Sequence, residues 1–245
     1  MLTWAAERAR LVVMAGLAFV VAAGLWTTLA TGDLLMRPEI RGRGTIAYAT
    51  LLFLMWWSMM MAMMLPSAAP AILSYDAIAR KQPGGSRLAL FALGYAAIWS
   101  TFSLAAMLLQ IVTRDVFPLS GMMAVTSTSV GGLLLIAAGL YQFSPLKDAC
   151  LRKCQSPFFY LAHHWQKGTA GAVRMGVAHG IHCLGCCWVL MLLLFYGGVM
   201  ELYWIVGLAL YVSAEKLIPD RVRFGQIAGS ALMAWGAWVL LRSLA

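Results

Sequence analysis

Ten residues carry the densest chemistry in the chain: His179-Gly-Ile-His-Cys-Leu-Gly-Cys-Cys-Trp188. They hold two of the four histidines and three of the five cysteines. Read as a helix, with His179 at zero, His182 falls at about −60°, Cys183 at +40°, Cys186 at −20° and Cys187 at +80°. All five therefore share a sector of roughly 140°. The residues that follow are apolar, which makes this the opening of a membrane-spanning helix. Polar and ligand-type side chains inside such a helix turn toward the protein interior or a cavity. The face therefore looks either at a metal ion or at a closely packed neighbouring helix. Gly176, Gly180 and Gly185 lie among the thiols and suit close helix approach. Vicinal thiolates with imidazole suit a soft or borderline ion: copper first, with zinc or iron as alternatives. The Cys183-x-x-Cys186 spacing also occurs in thioredoxin-like centres, but no βαβ pattern surrounds it here.

A second stretch is rich in soft sulfur: Met55-Trp-Trp-Ser-Met-Met-Met-Ala-Met-Met-Leu-Pro-Ser-Ala-Ala-Pro70. Six of the 16 methionines sit in its first ten residues. At helical spacing Trp56, Met60, Met63, Met64 and Ser67 share one face, above Pro66 and Pro70. Thioethers favour Cu(I), although methionine is equally a filler of apolar gaps. Two weaker signals follow. Cys150 and Cys154 lie in a polar connection and would share a face if that segment were helical; Arg152 and Lys153 beside them favour thiolates. His163-His164 fits an exposed loop pair. Glu215, with Lys216 and Asp220 nearby, reads as an interfacial ion pair.

These residues must be positioned by a membrane scaffold. The chain is 62% hydrophobic and 11% charged, with mean hydropathy +0.81, where soluble domains carry about 25% charged residues. Apolar runs recur along its whole length. The expected fold is all-α, one polytopic bundle over residues 1–245. Seven spans are expected, at about 11–30, 45–65, 88–112, 119–143, 172–198, 202–218 and 224–241. Helix two is expected to break or kink at Pro66 and Pro70. The segment 144–167 is the longest polar connection. Thr126 to Gly132 is small and weakly polar, which suits close helix contact. Of the 18 Lys and Arg residues, 13 fall on the side of the N-terminus, so that terminus is expected in the cytoplasm. That orientation places the cysteines near the reducing cytosol, where a structural disulfide is disfavoured.

The charge of +9 therefore sets orientation and is no nucleic-acid footprint. No P-loop, dinucleotide fingerprint or H-E-x-x-H motif is present.

Taken together, several motifs carry a resemblance. They are Met55-Trp-x-x-Met-x-x-Ala-Met-Met-Leu-Pro-Ser67, Gly139-Leu-Tyr-Gln-Phe-Ser-Pro-Leu-Lys-Asp-Ala-Cys-Leu151 with Cys154 and Pro157, Cys183-Leu-Gly-Cys-Cys-Trp188, Gly198-Val-Met200 and Glu215-Lys216. Over residues 45–218 the chain resembles a bacterial family of predicted metal-binding integral membrane proteins, domain of unknown function twenty-one eighty-two. The resemblance implies a multi-pass protein of the bacterial inner membrane. It also implies that Cys150, Cys154, Cys183, Cys186 and Cys187 group with the methionine motif. The expected function is binding of a soft metal, copper first, for transport or for delivery to a membrane metalloenzyme. The metal site is expected from Cys183, Cys186, Cys187, His179, His182, Cys150, Cys154, Met60, Met63 and Met64. Expected partners are the lipid bilayer, a membrane metalloenzyme or soluble metal chaperone, and further subunits of the same or another kind. Two other classes stay open: a membrane oxidoreductase or metalloenzyme subunit using the Cys/His site, and an assembly subunit whose thiols pack helices.

Overall fold

The computed structural model describes residues 2–36, 45–81, 87–113, 127–218 and 221–244. Among the described residues every regular element is a helix, so the expected all-α class holds. In chain order these are α1 (Leu2–Met36), α2 (Thr45–Ala79), α3 (Leu88–Thr113), α4 (Thr128–Tyr141), α5 (Pro145–Gln155), α6 (Pro157–His163), α7 (Gly168–Leu192), α8 (Leu194–Gly197), α9 (Leu202–Leu217) and α10 (Arg221–Leu244).

Among the described residues, five segments are long and apolar enough to cross a membrane: Met14–Leu35, Ile46–Ala79, Leu88–Thr113, Gly168–Gly197 and Phe224–Ser243. The pair α4 and α5, bent by 64°, makes a sixth candidate. The remaining expected span is α9, whose 16 residues are fewer than the roughly 20 that a bilayer core needs. The expected turn at Arg114, Asp115 and Pro118 lies outside the described residues, as do the expected helix-four residues 119–126.

Three sequence expectations are corrected. The break expected at Pro66 and Pro70 is absent: α2 is assigned as one helix of 35 residues that continues through 71–79. Side chains supply hydrogen bonds around the prolines: Ser67 Oγ and Tyr95 OH donate to the Met64 carbonyl, at 2.9 and 3.2 Å, and Ser74 Oγ donates to the Pro70 carbonyl at 2.6 Å. The polar connection 144–167 contains two helices, α5 and α6. Both begin on proline, which fits the first helical turn. Helix α5 has Asp148 in its first turn and Arg152 and Lys153 in its last, the polarity that the helix dipole favours. Lys147, Leu151 and Cys154 form its buried stripe. Finally, the expected loop at 219–223 is helical from Arg221.

The described chain divides into two compact units. The first comprises Met1–Ala105 and Ser156–His182. There α1 packs along α2, where Gly24 brings the two backbones together: a Cβ on it would stand 2.9 Å from the Ser58 carbonyl. Thr28 and Ser58 hydroxyls hydrogen-bond across the same seam at 2.9 Å. Gly94, Gly176 and Gly180 do the same between α3 and α7, where a Cβ on Gly176 would run into the Phe91 carbonyl.

The second unit comprises Ala106–Gln155 and Cys183–Ala245. Its scaffold is the α4–α10 pair. Gly132 faces Gly236, and Gly139 faces Gly229; an added Cβ on any of the four would meet the opposing carbonyl at 2.7–3.1 Å. This is small-residue packing of the kind that lets membrane helices approach, as expected from the small stretch ending at Gly132. Gly198, at φ 103°, adopts a left-handed conformation open to glycine and turns the chain from α8 into α9.

Candidate metal centre

Cys183, Cys186 and Cys187 stand on successive turns of α7, and all three are buried. Their thiols need not disturb the helix, because a side-chain donor can reach the carbonyl three or four residues back. Cys186 Sγ and Cys187 Sγ both donate to the Cys183 carbonyl, each at 3.0 Å.

Helix α5 brings further thiols to the same place. Cys154 is buried, and its thiol hydrogen-bonds that of Cys186. Cys186 and Cys187 are neighbours on α7 and both reach back to the Cys183 carbonyl. Four buried thiols thus gather where α5 meets α7. Cys150, half-buried, lies over Gly185, where an added Cβ would stand 2.7 Å from its Sγ. Any larger residue at 185 would displace the Cys150 thiol. Tyr141 OH completes this edge by donating to the Gly185 carbonyl at 2.5 Å.

Charge surrounds the thiols. Lys147 Nζ donates to Glu215 Oε2 at 2.5 Å and to the Cys186 carbonyl at 3.2 Å. Lys216 Nζ lies 3.0 Å from Cys183 Sγ. Tyr211 OH donates to Glu215 Oε1 at 3.3 Å, and Gln155 Nε2 donates to the Glu215 carbonyl at 2.8 Å. Lys147, Glu215 and Lys216 are 2%, 1% and 7% exposed. At that depth a charge survives only beside an opposite charge or strong polar partners. A cavity of about 240 Å³ at the α4–α5 bend reaches Lys147 and Glu215 from the side of Gln142, Asp148 and Gly225.

Glu215 is therefore ion-paired, but with Lys147, while Lys216 turns to sulfur. Asp220 lies outside the described residues. Both lysines are site residues that the sequence reasoning passed over. The available signal was their position: ionisable residues in or beside apolar spans point inward and find partners.

The other candidate residues belong to the first unit. His179 is buried, with its ring stacked on Phe91 and Tyr95 at centroid distances of 6.1 and 5.8 Å. His182 Nε2 lies 3.1 Å from Tyr160 OH, and the two rings meet edge to face. His163 and His164 are exposed, each with Nδ1 hydrogen-bonded to a carbonyl one turn back. Met60, Met63 and Met64 are fully buried, as are Met55 and Met59, and Met61 is buried too. The buried methionines of α2 thus extend beyond the one face that carries Met60, Met63 and Met64.

Among the described residues, no three His, Cys, Asp or Glu side chains are arranged as a ready-formed metal cage. The four thiols instead form a buried cluster flanked by Lys147 and Lys216.

A family model described as a copper chaperone, PpoB2, matches residues 53–239. The match takes in α2 from residue 53 on, both halves of the thiol cluster and both lysines. No curated protein and no solved structure matches the chain.

Proposed function

The chain belongs to the PpoB2 copper chaperone family, and from that premise we propose that it takes Cu(I) on the thiols of Cys154, Cys183, Cys186 and Cys187. It then hands the ion on at the bacterial inner membrane, to a membrane metalloenzyme. The observation that carries this reading is the buried cluster of four thiols drawn from two helices, with an ammonium against one of them. Thiolates are the ligands that select Cu(I) among the biological metals. Neutral thiols held by weak hydrogen bonds give up protons as the metal enters and recover them as it leaves. A cluster with no preformed cage favours exchange over permanent retention, as a carrier requires. Cys150, only half-buried, is the entry position. Met60, Met63 and Met64 form a separate thioether station in the first unit.

The test is the metal content of the full-length protein purified in detergent and loaded with Cu(I) against a competing chelator. Wild type is expected to hold about one copper per chain, from the count of clustered thiolates that soft ions prefer. A Cys183/Cys186/Cys187→Ser triple variant is expected to hold none. Equal copper in both proteins would sink the proposal. Stoichiometric zinc or iron in place of copper would keep the site and overturn its cargo.

A further inference from the structure

Gln142 caps the C-terminal end of α4, at the 64° bend into α5. It is 8% exposed, and neither atom of its carboxamide makes a hydrogen bond of normal length and angle, although Tyr211 lies within reach. A buried amide in that state needs a hydrogen-bonding partner from the space beside it. That space is the cavity of about 240 Å³, whose polar walls are Gln142, Ser144, Lys147, Asp148, Glu215 and Gln226. We propose that the cavity is a water-filled vestibule, which carries the aqueous phase into the bent α4–α5 span as far as the Lys147–Glu215 pair.

Gly225 shows that the space is built into the helix pair. Elsewhere on α10 an added Cβ at Gly229 would strike the Gln142 and Phe143 side chains at 2.8 and 2.9 Å, and one at Gly236 the Gly132 carbonyl at 2.7 Å. Those glycines serve helix approach. At Gly225 the nearest atoms are two side-chain oxygens, Glu215 Oε1 at 3.3 Å and Gln142 Oε1 at 3.8 Å. A methyl group there would cover both acceptors with apolar surface. The glycine leaves them open to a group that donates two hydrogen bonds. Lys147 pairs with Glu215 and Asp148 with Arg152, so the walls suit a neutral donor over a free ion. Water is such a donor, and the cavity is many times the volume that one water needs. The bilayer sets the same requirement. Non-helical backbone and ionised side chains persist at membrane depth where they line a water-filled cavity, and the α4–α5 bend carries both. Lys147 extends from the vestibule to the Cys186 carbonyl at 3.2 Å, so one side chain separates this water from the thiol cluster.

Thiol labelling tests the idea on the full-length protein in membrane fragments that expose both faces. The probe is a charged methanethiosulfonate, which does not enter lipid. Mass spectrometry of the peptide carrying the introduced thiol reads its rate apart from the native cysteines. Gln142→Cys, buried on the cavity wall, is expected to label nearly as fast as Gln226→Cys at the exposed mouth. Leu140→Cys, on the exposed apolar flank of α4, is expected to label on the order of a hundredfold more slowly, because apolar surroundings suppress the reactive thiolate. Adding Gly225→Val, which fills the cavity, is expected to bring the Gln142→Cys rate down toward that of Leu140→Cys. If Gln142→Cys does not fold, Ser144→Cys, half-buried on the same wall, carries the measurement. Labelling at the cavity wall as slow as at Leu140→Cys overturns the vestibule. So does fast labelling that Gly225→Val leaves unchanged. The rates are read without metal, so a wild type that loads no Cu(I) would sink the thiol-site reading and leave the vestibule standing.

Discussion

The two units bury sulfur in opposite ways. In the first, six methionines of α2 fill an apolar core beside aromatic rings, and the polar groups nearby are hydroxyls and backbone carbonyls. In the second, four thiols share a buried space with two lysines and a glutamate. Thioethers carry no proton and ask for no counter-charge. Thiols exchange protons for metal and become anions that the interior must balance. The charged residues therefore mark where ionic chemistry is intended, and sulfur content alone does not. Methionines at high density are compatible with packing by itself; a lysine bonded to a buried cysteine is far harder to explain by packing.

The largest expected effect separates the two kinds of sulfur directly. Cys183→Ser should abolish stoichiometric Cu(I), because it removes the buried thiol that meets the Lys216 ammonium. Met60→Leu should retain it. Equal losses in the two variants, measured as copper per chain, would erase the distinction between the units.

Next in size is the ion pair. Lys147→Met leaves Glu215 buried without its cation and should destabilise the protein by about 3–5 kcal/mol. Lys147→Met with Glu215→Leu should recover most of that, because an apolar pair of similar volume replaces the ionic one at little cost. Thermal unfolding in detergent would measure both. A double variant as unstable as the single one would mean that the carboxylate has a role beyond pairing.

A third effect follows from proton exchange. Each proton released on metal binding makes the apparent affinity for Cu(I) rise about tenfold per pH unit across the range where the thiols are protonated. Affinity is therefore lost as pH falls. Copper held by thioethers would show no such slope. A flat profile between pH 6 and 8, from competition titrations, would move the site from cysteine to methionine.

The amount that could be read from sequence tracks this same division. The all-α class and the long apolar spans follow from composition and run length, which act locally. The α7 thiol face was legible because helical geometry fixes side-chain directions within one element. Helix α5 was missed as an element: its 11 residues are short and mostly polar, and its buried stripe of Lys147, Leu151 and Cys154 depends on distant partners. The Lys147–Glu215 pair joins residues 68 positions apart, and Lys216–Cys183 joins residues 33 apart. No local pattern encodes such partnerships. For the methionines, periodicity fixed which residues share a face, but not that Met55, Met59 and Met61, off that face, are buried as well.

The smallest expected effect bears on the methionines themselves. Met60, Met63 and Met64 can be replaced together by leucine, which nearly conserves volume and apolarity. If packing is their main contribution to stability, each swap should cost less than about 1.5 kcal/mol, and the fold should survive with its thiol-bound copper intact. The informative readout is then delivery and not binding. A triple variant that loads Cu(I) normally but fails to pass it to an acceptor would give the thioethers a role in transfer. A variant that both loads and delivers would leave them as core. Because the thioether is the only chemical group removed, this variant isolates sulfur ligation from burial, which no cysteine substitution in the charged cluster can do.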